Sequence, residues 1–161
     1  MSVVIDTNVA VVANDRETDV SSHCVTACVD ALLQIRDQHC VLIDNLDLIL
    51  DEYRVYLRPA GEPGAGDAFF KWLWDNQGNL NHCRRIEITP NASGSFDEFP
   101  TAPVLNAFDK SDRKFVAVAL ASGENPEILN ACDSDWWLFQ EALSAEGLTV
   151  TQLCPEQKPE I

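Results

Sequence analysis

The chain has 161 residues, 46% of them hydrophobic and 23% charged, which suits one globular domain with a single core and excludes a disordered or fibrous chain. Its formal net charge is −15, from 26 acids against 11 lysines and arginines, which opposes nonspecific binding to nucleic acid or to an anionic membrane. No apolar run reaches the roughly 18 residues that span a bilayer and no basic-then-apolar leader opens the chain, so the expectation is a soluble, cytoplasmic protein with no membrane partner.

In chain order, SVVID (2–6) reads as a buried strand that ends on an acid, Asp6. SSHCVTACVDALLQIRDQ (21–38) carries Val25, Cys28, Val29, Leu32, Leu33 and Ile35 at helical spacing, with Ser21 or Ser22 as its cap. HCVLIDN (39–45) is a second strand with an acidic end, and NLDLILDEYRVYL (45–57) a helix stopped by Pro59. AGEPGAG (60–66) lacks the Lys-Ser/Thr ending of a phosphate loop and reads as a turn. The aromatic helix DAFFKWLWDNQ follows it, with Phe69, Phe70, Trp72 and Trp74 read first as core and second as a base-stacking stripe. RRIEI (84–88) is a third strand, and residues 89–110 read as a long surface connection.

SDRKFVAVALAS (111–122) is apolar nearly all round, as a central buried helix should be. EILNA and LTVTQL give two further strands around the helix WWLFQEALSAEG. Strands alternating with helices predict an α/β fold, a three-layer α/β/α sandwich around a parallel sheet of about five strands. The whole chain, 1–161, reads as one domain with a frayed tail from about residue 155. The six cysteines contain no C-x-x-C pair, so the expectation is reduced, mostly buried thiols without a structural zinc.

In such a sheet the strand C-termini share one edge, where ligands bind. Asp6 ends the first strand, Asp133 follows the fourth, and Asp112 opens the buried helix with Asp109 three residues earlier. Convergent acids from distant parts of the chain suit a divalent cation. On the helix 45–57, Asp47, Asp51 and Arg54 share a polar arc, whereas Glu52 falls among Leu48, Ile49, Val55 and Tyr56. A carboxylate on an apolar face needs a cation or hydrogen bonds to compensate its burial.

VVIDTN near the start, the acid on the helix after strand two, SDRKFVAVALAS and ILNACDSDW together resemble the four motifs of the PIN-domain nucleases, a family that includes VapC-type toxins, over residues 2 to about 137. The resemblance implies a magnesium- or manganese-dependent endoribonuclease acting on single-stranded RNA. Its acids carry over as Asp6, Glu52, Asp112 and Asp133, with Asp135 as a further metal ligand; Thr7, Asn8 and Asp109 would orient them. Lys110, Arg113 and Lys114 flank the site as candidate phosphate contacts, and Arg54, Arg58, Arg84 and Arg85 are possible additions to a basic patch. A protein inhibitor or antitoxin and a second copy of the chain are the protein partners that a toxin or defence role brings with it. The middle, RPAGEPGAGDAFFKWLWDNQGN (58–79), departs from the small PIN toxins, so partner and target do not carry over.

Two other readings stand beside this one. A haloacid-dehalogenase-like phosphatase also begins with a strand and an Asp, but needs a second acid where this chain has Asn8. A catalytically degenerate PIN-like binding module suits the charge of −15.

Overall fold

The computed structural model describes residues 1–16 and 19–160. Its elements are β1 (Ser2–Ile5), α1 (Thr7–Ala13), α2 (Ser22–Gln38), β2 (Cys40–Asp44), α3 (Leu48–Tyr56), α4 (Ala65–Asn76), β3 (Cys83–Ile86), α5 (Arg113–Ser122), β4 (Glu127–Asn130), α6 (Ser134–Leu138), α7 (Gln140–Ala145) and β5 (Thr149–Gln152). The five strands form one all-parallel sheet in the order β3-β2-β1-β4-β5. This is the expected three-layer α/β/α arrangement. α1, α2 and α4 pack on one another, while α5 lies across β1 to β4 and against α3.

Burial on both faces explains why the central strands read as unbroken apolar runs. Val3, Val4, Ile5, Val41, Leu42, Ile43, Ile128 and Leu129 are all in the core, as are Phe115 to Ala119 of α5. From β1 the chain winds outward through β2 and β3, then crosses back to β4 on the other flank of β1. The strand order therefore reverses between β1 and β4, and the crevice outside their carboxyl ends is where such sheets bind ligands.

Close helix packing depends on Gly66. A Cβ there would lie 1.9 Å from the Ala10 carbonyl oxygen, so α4 can approach α1 only without a side chain at that position. Asp67, next along, is fully buried. Burial alone would raise its pKa, but the Arg58 and Gly64 N–H groups, the Asn14 amide and Arg16 hold it below the usual carboxylate range.

Four expectations need correction. First, the helix expected over 45–57 begins only at Leu48: Asp47 sits in the left-handed region at φ 63°, so it leaves the arc of Asp51 and Arg54 and pairs with Arg85. Second, the connection 89–110 is more than surface. Phe99, Leu105 and Phe108 are buried, and Phe108 packs edge-on against Trp136 and Phe139 at ring separations of 5.2 and 5.5 Å. Third, the thiols are not all reduced, because the end of β5 brings Cys154 onto α2, where it forms a disulfide with Cys24. Burial pushes two of the remaining thiols, Cys28 and Cys83, up to about 12. Fourth, the tail is tied down at its start: the disulfide precedes a 3-10 turn at Pro155–Gln157, and the Gln157 side chain accepts the Ser21 N–H at 3.3 Å. Ile161 lies outside the described residues. No helix among the described residues is long and apolar enough to cross a membrane.

Candidate metal centre

Asp6 leaves β1 in extended backbone and caps α1. Its Oδ1 accepts the Asn8 N–H at 2.9 Å and the Asn8 side-chain amide at 2.7 Å, and its Oδ2 accepts the Trp136 indole N–H at 2.7 Å. Asn8 spends its other atoms on the neighbouring strand: its Oδ1 accepts the Ala131 and Cys132 N–H groups, and its amide also donates to Asn130. Asn130, buried at the end of β4, turns the chain by accepting the Asp133 N–H and donating to the Asp133 carbonyl. Asn8 and Asn130 together thus fix the spacing between Asp6 and Asp133.

Asp112 closes the short 3-10 turn Lys110–Asp112 and leads into α5, whereas Asp133 caps α6 and accepts the Asp135 N–H at 2.9 Å. Carboxylate oxygens of Asp6, Asp112 and Asp133 all lie within 4.8 Å of one another. A second group, Asp109, Asp112 and Asp135, meets the same limit, so Asp112 belongs to both. Asp109 accepts the Ser111 N–H through its side chain and donates its own N–H to Asp135 at 3.3 Å. Asp6, Asp109, Asp112 and Asp133 open on a cleft of about 280 Å³, whose wall also includes Thr7, Glu52 and Tyr56.

The electrostatics are those of a cluster that wants positive charge. Asp6 is pushed up to about 6, chiefly by burial against the pull of its hydrogen bonds, with the Asp133 charge adding to the rise. Asp112 is pushed up to about 9, first by burial and then by the charges of Asp6, Asp133 and Asp109. Burial and Asp133 also raise Asp135. Like charges this close cannot all ionise without a cation. Moreover, the Asp112 Oδ2 is buried and has no hydrogen-bond partner among the described residues, an orphaned acceptor within the carboxylate cluster. An all-oxygen donor set with one such acceptor fits a hard divalent cation such as magnesium or manganese.

Glu52 is different. It lines the cleft on the face that the helical phase predicted, while Asp51 is exposed. The cation that compensates it is Lys114: the ammonium donates to Glu52 Oε1 at 2.8 Å and to the Ser111 carbonyl, and the Thr7 hydroxyl donates to Oε2. Both carboxylate oxygens are therefore engaged, and Glu52 belongs to neither of the two clusters.

The expected phosphate contacts need revision too. Arg113 is buried, its guanidinium donating to the Phe108 and Asn106 carbonyls and lying over the Phe99 ring, so it serves packing and not substrate. Lys114 is buried in its pair with Glu52, while Lys110 is exposed at the surface. Arg84 and Arg85 are paired with Glu124 and Asp47, and Arg54 lies over Trp74 at 4.6 Å. Phe69 and Phe70 are core, Trp72 is half-buried and Trp74 partly exposed.

Sequence reasoning missed Trp136 and Asn130. Trp136 stood in a run of aromatics with no signal that its N–H would meet Asp6. Asn130 could have been found, as a polar residue ending the apolar run EILN with no place in a core unless hydrogen-bonded. Comparison with family models, curated proteins and solved structures finds no match for this chain.

Proposed function

We propose that this chain is a PIN-type, metal-dependent endoribonuclease that cleaves single-stranded RNA, a toxin or defence component working in the cytoplasm. The observation that carries the reading is the orphaned, buried Asp112 Oδ2 within a cluster of carboxylates at the point where the strand order reverses. Asp6, Asp112 and Asp133 would hold a magnesium or manganese ion, with Asp109 and Asp135 able to share the load through Asp112. What such a cation supplies is Lewis-acid stabilisation of the phosphodiester oxygens and a lowered pKa for an attacking water. The chain's own part is positioning: Asn8 and Trp136 orient Asp6, and Asn130 orients the backbone at Asp133. Thr7 and Lys114 fix Glu52 on the cleft wall, where the neutralised pair shapes the rim beside the carboxylates.

A phosphatase of the haloacid-dehalogenase type is disfavoured because both polar atoms of the Asn8 amide are committed to structure, and an amide is no general acid. A binding module that holds a cation without cleaving has one observation in its favour: Arg84, Arg85 and Arg113 are spent on acids, carbonyls and rings, leaving no continuous basic track among them. Manganese titration with parallel cleavage of single-stranded RNA separates the readings. The proposal expects stoichiometric binding and metal-dependent cleavage, both lost in Asp112→Asn. Binding without cleavage would support the module, and release of phosphate from a small ester would support the phosphatase.

A further inference from the structure

Away from the carboxylates, three sulfurs converge. Cys24 and Cys28 stand one turn apart on the same face of α2, and Cys154 follows β5; their Sγ atoms all lie within 4.8 Å of one another, and all three residues are fully buried. Two of them form the disulfide, and the third is a free thiol beside it. We propose that in the reduced chain Cys24, Cys28 and Cys154 form a three-thiolate site for a thiophilic d10 cation of the zinc class, separate from the carboxylate centre and mutually exclusive with the Cys24–Cys154 disulfide.

The donor chemistry selects the ligand. An all-sulfur set in apolar surroundings suits zinc or copper(I) and rejects magnesium, whereas the carboxylate cluster prefers the hard ions. The geometry is within reach. Zinc–sulfur bonds of about 2.3 Å in a tetrahedral site put sulfurs about 3.8 Å apart, so the Cys28 sulfur already lies in range and the bonded pair needs only to separate. The i, i+4 spacing on one helix supplies two ligands without backbone movement. Cys154 can supply the third because it lies beyond the Leu153 N–H bond to Asn130, so its Cα can shift without breaking the pairing of β5 with β4.

The exchange balances. A dithiol reductant transfers two electrons and two protons to the Cys24–Cys154 bond, giving two thiols and becoming a disulfide itself. The cation then takes the place of the thiol protons on Cys24, Cys28 and Cys154, which pass to solvent. The same three side chains therefore tie the end of β5 to α2 in either state, through a covalent bond when oxidised and through a metal when reduced.

The test uses the full chain, reduced with a phosphine under anaerobic conditions and titrated with cadmium as the spectroscopic stand-in for zinc. The expected result is a thiolate-to-metal charge-transfer band that grows linearly and breaks at one equivalent. It should be missing from the oxidised protein, weakened at least tenfold in affinity by Cys28→Ser, and retained in Asp112→Asn. Cys28→Ser keeps the disulfide, so thermal melting of its oxidised form shows that it folds. A band unchanged in Cys28→Ser would show that Cys28 is not a ligand and overturn the proposal, as would titration without a break at one equivalent.

Discussion

Asp6 and Asp44 end strands of almost the same sequence, VVID and VLID, and do different work. Asp44 is fully buried, and its two oxygens accept the N–H groups of Leu46, Leu48 and Ile49 at 2.9 Å each, so it is a structural cap that starts α3. Asp6 also caps a helix, yet it faces a cleft shared with Asp112 and Asp133. The residue type says nothing about which role it takes; the partners do. Glu52 makes the same point with an energetic consequence. Its pair with Lys114 is largely shielded, with side-chain exposures of 21% and 10%. Glu52→Gln leaves the Lys114 ammonium with the Ser111 carbonyl and no counter-charge, and should cost about 1–3 kcal/mol of stability. The double variant Glu52→Gln/Lys114→Met removes both charges and should recover most of that loss, while Asp51→Asn, exposed on the far arc, should change nothing. Thermal melts of the three proteins check it; a Glu52→Gln protein as stable as the wild type would mean that the pair contributes nothing.

At the scale of elements, the positions of α1 and α4 decide whether the site is assembled. α1 begins with Thr7 and Asn8, which reach Glu52 and β4, and α4 holds α1 in place through the contact at Gly66. Gly66→Ala drives a methyl group into the Ala10 carbonyl, which no flexible side chain can relieve. We expect a loss of about 3 kcal/mol and a melting point lower by roughly 6–12 °C. Manganese affinity should fall with it, because a displaced α1 carries Asn8 away from Asp6. Unchanged melting would show that the helices separate at no cost. The strands and most helices could be read from periodicity because burial on both faces writes apolar runs into β1, β2 and β4. Asp6, Asp112 and Asp133 were legible as a cluster because parallel strands align their ends. What periodicity could not carry was set by contacts distant in sequence: Cys24 with Cys154, Trp136 with Asp6, Lys114 with Glu52 and the burial of Phe99 and Phe108. Arg113 shows the limit most plainly. Beside an acid in a motif it reads as a phosphate contact, but its helix phase turns it inward to the carbonyls that end the 103–107 turn.

For the molecule as a whole, a net charge of −15 concentrates its consequences where acids are least solvated. In the metal-free protein Asp6 and Asp112 titrate at about 6 and about 9 against an ordinary 3.8. Both folded values lie above the unfolded ones, so the folded chain binds more protons and these groups stabilise it fully only below about pH 4. That contribution is lost as pH rises, first through 6 as Asp6 ionises and then on towards 9 as Asp112 does. Asp67, held below the ordinary value, has the opposite sign: its contribution is present above pH 4 and is lost in stronger acid. The metal-free melting temperature should therefore peak in mild acid, near pH 4–5, and decline to about pH 9, each retained proton costing roughly 1 kcal/mol per pH unit across its window. Manganese should reverse the slope. A cation in the cluster favours the ionised carboxylates, so binding must expel the proton on Asp112, and the stabilisation that manganese adds should grow from pH 5 to pH 8. Calorimetry in two buffers of different ionisation enthalpy should count about one proton released per manganese at pH 7, and Asp112→Asn should show neither the binding heat nor the proton release. A metal-free melting temperature that rises steadily from pH 5 to pH 9 would mean the three carboxylates are ionised without a cation, and the cluster would then have no need of one.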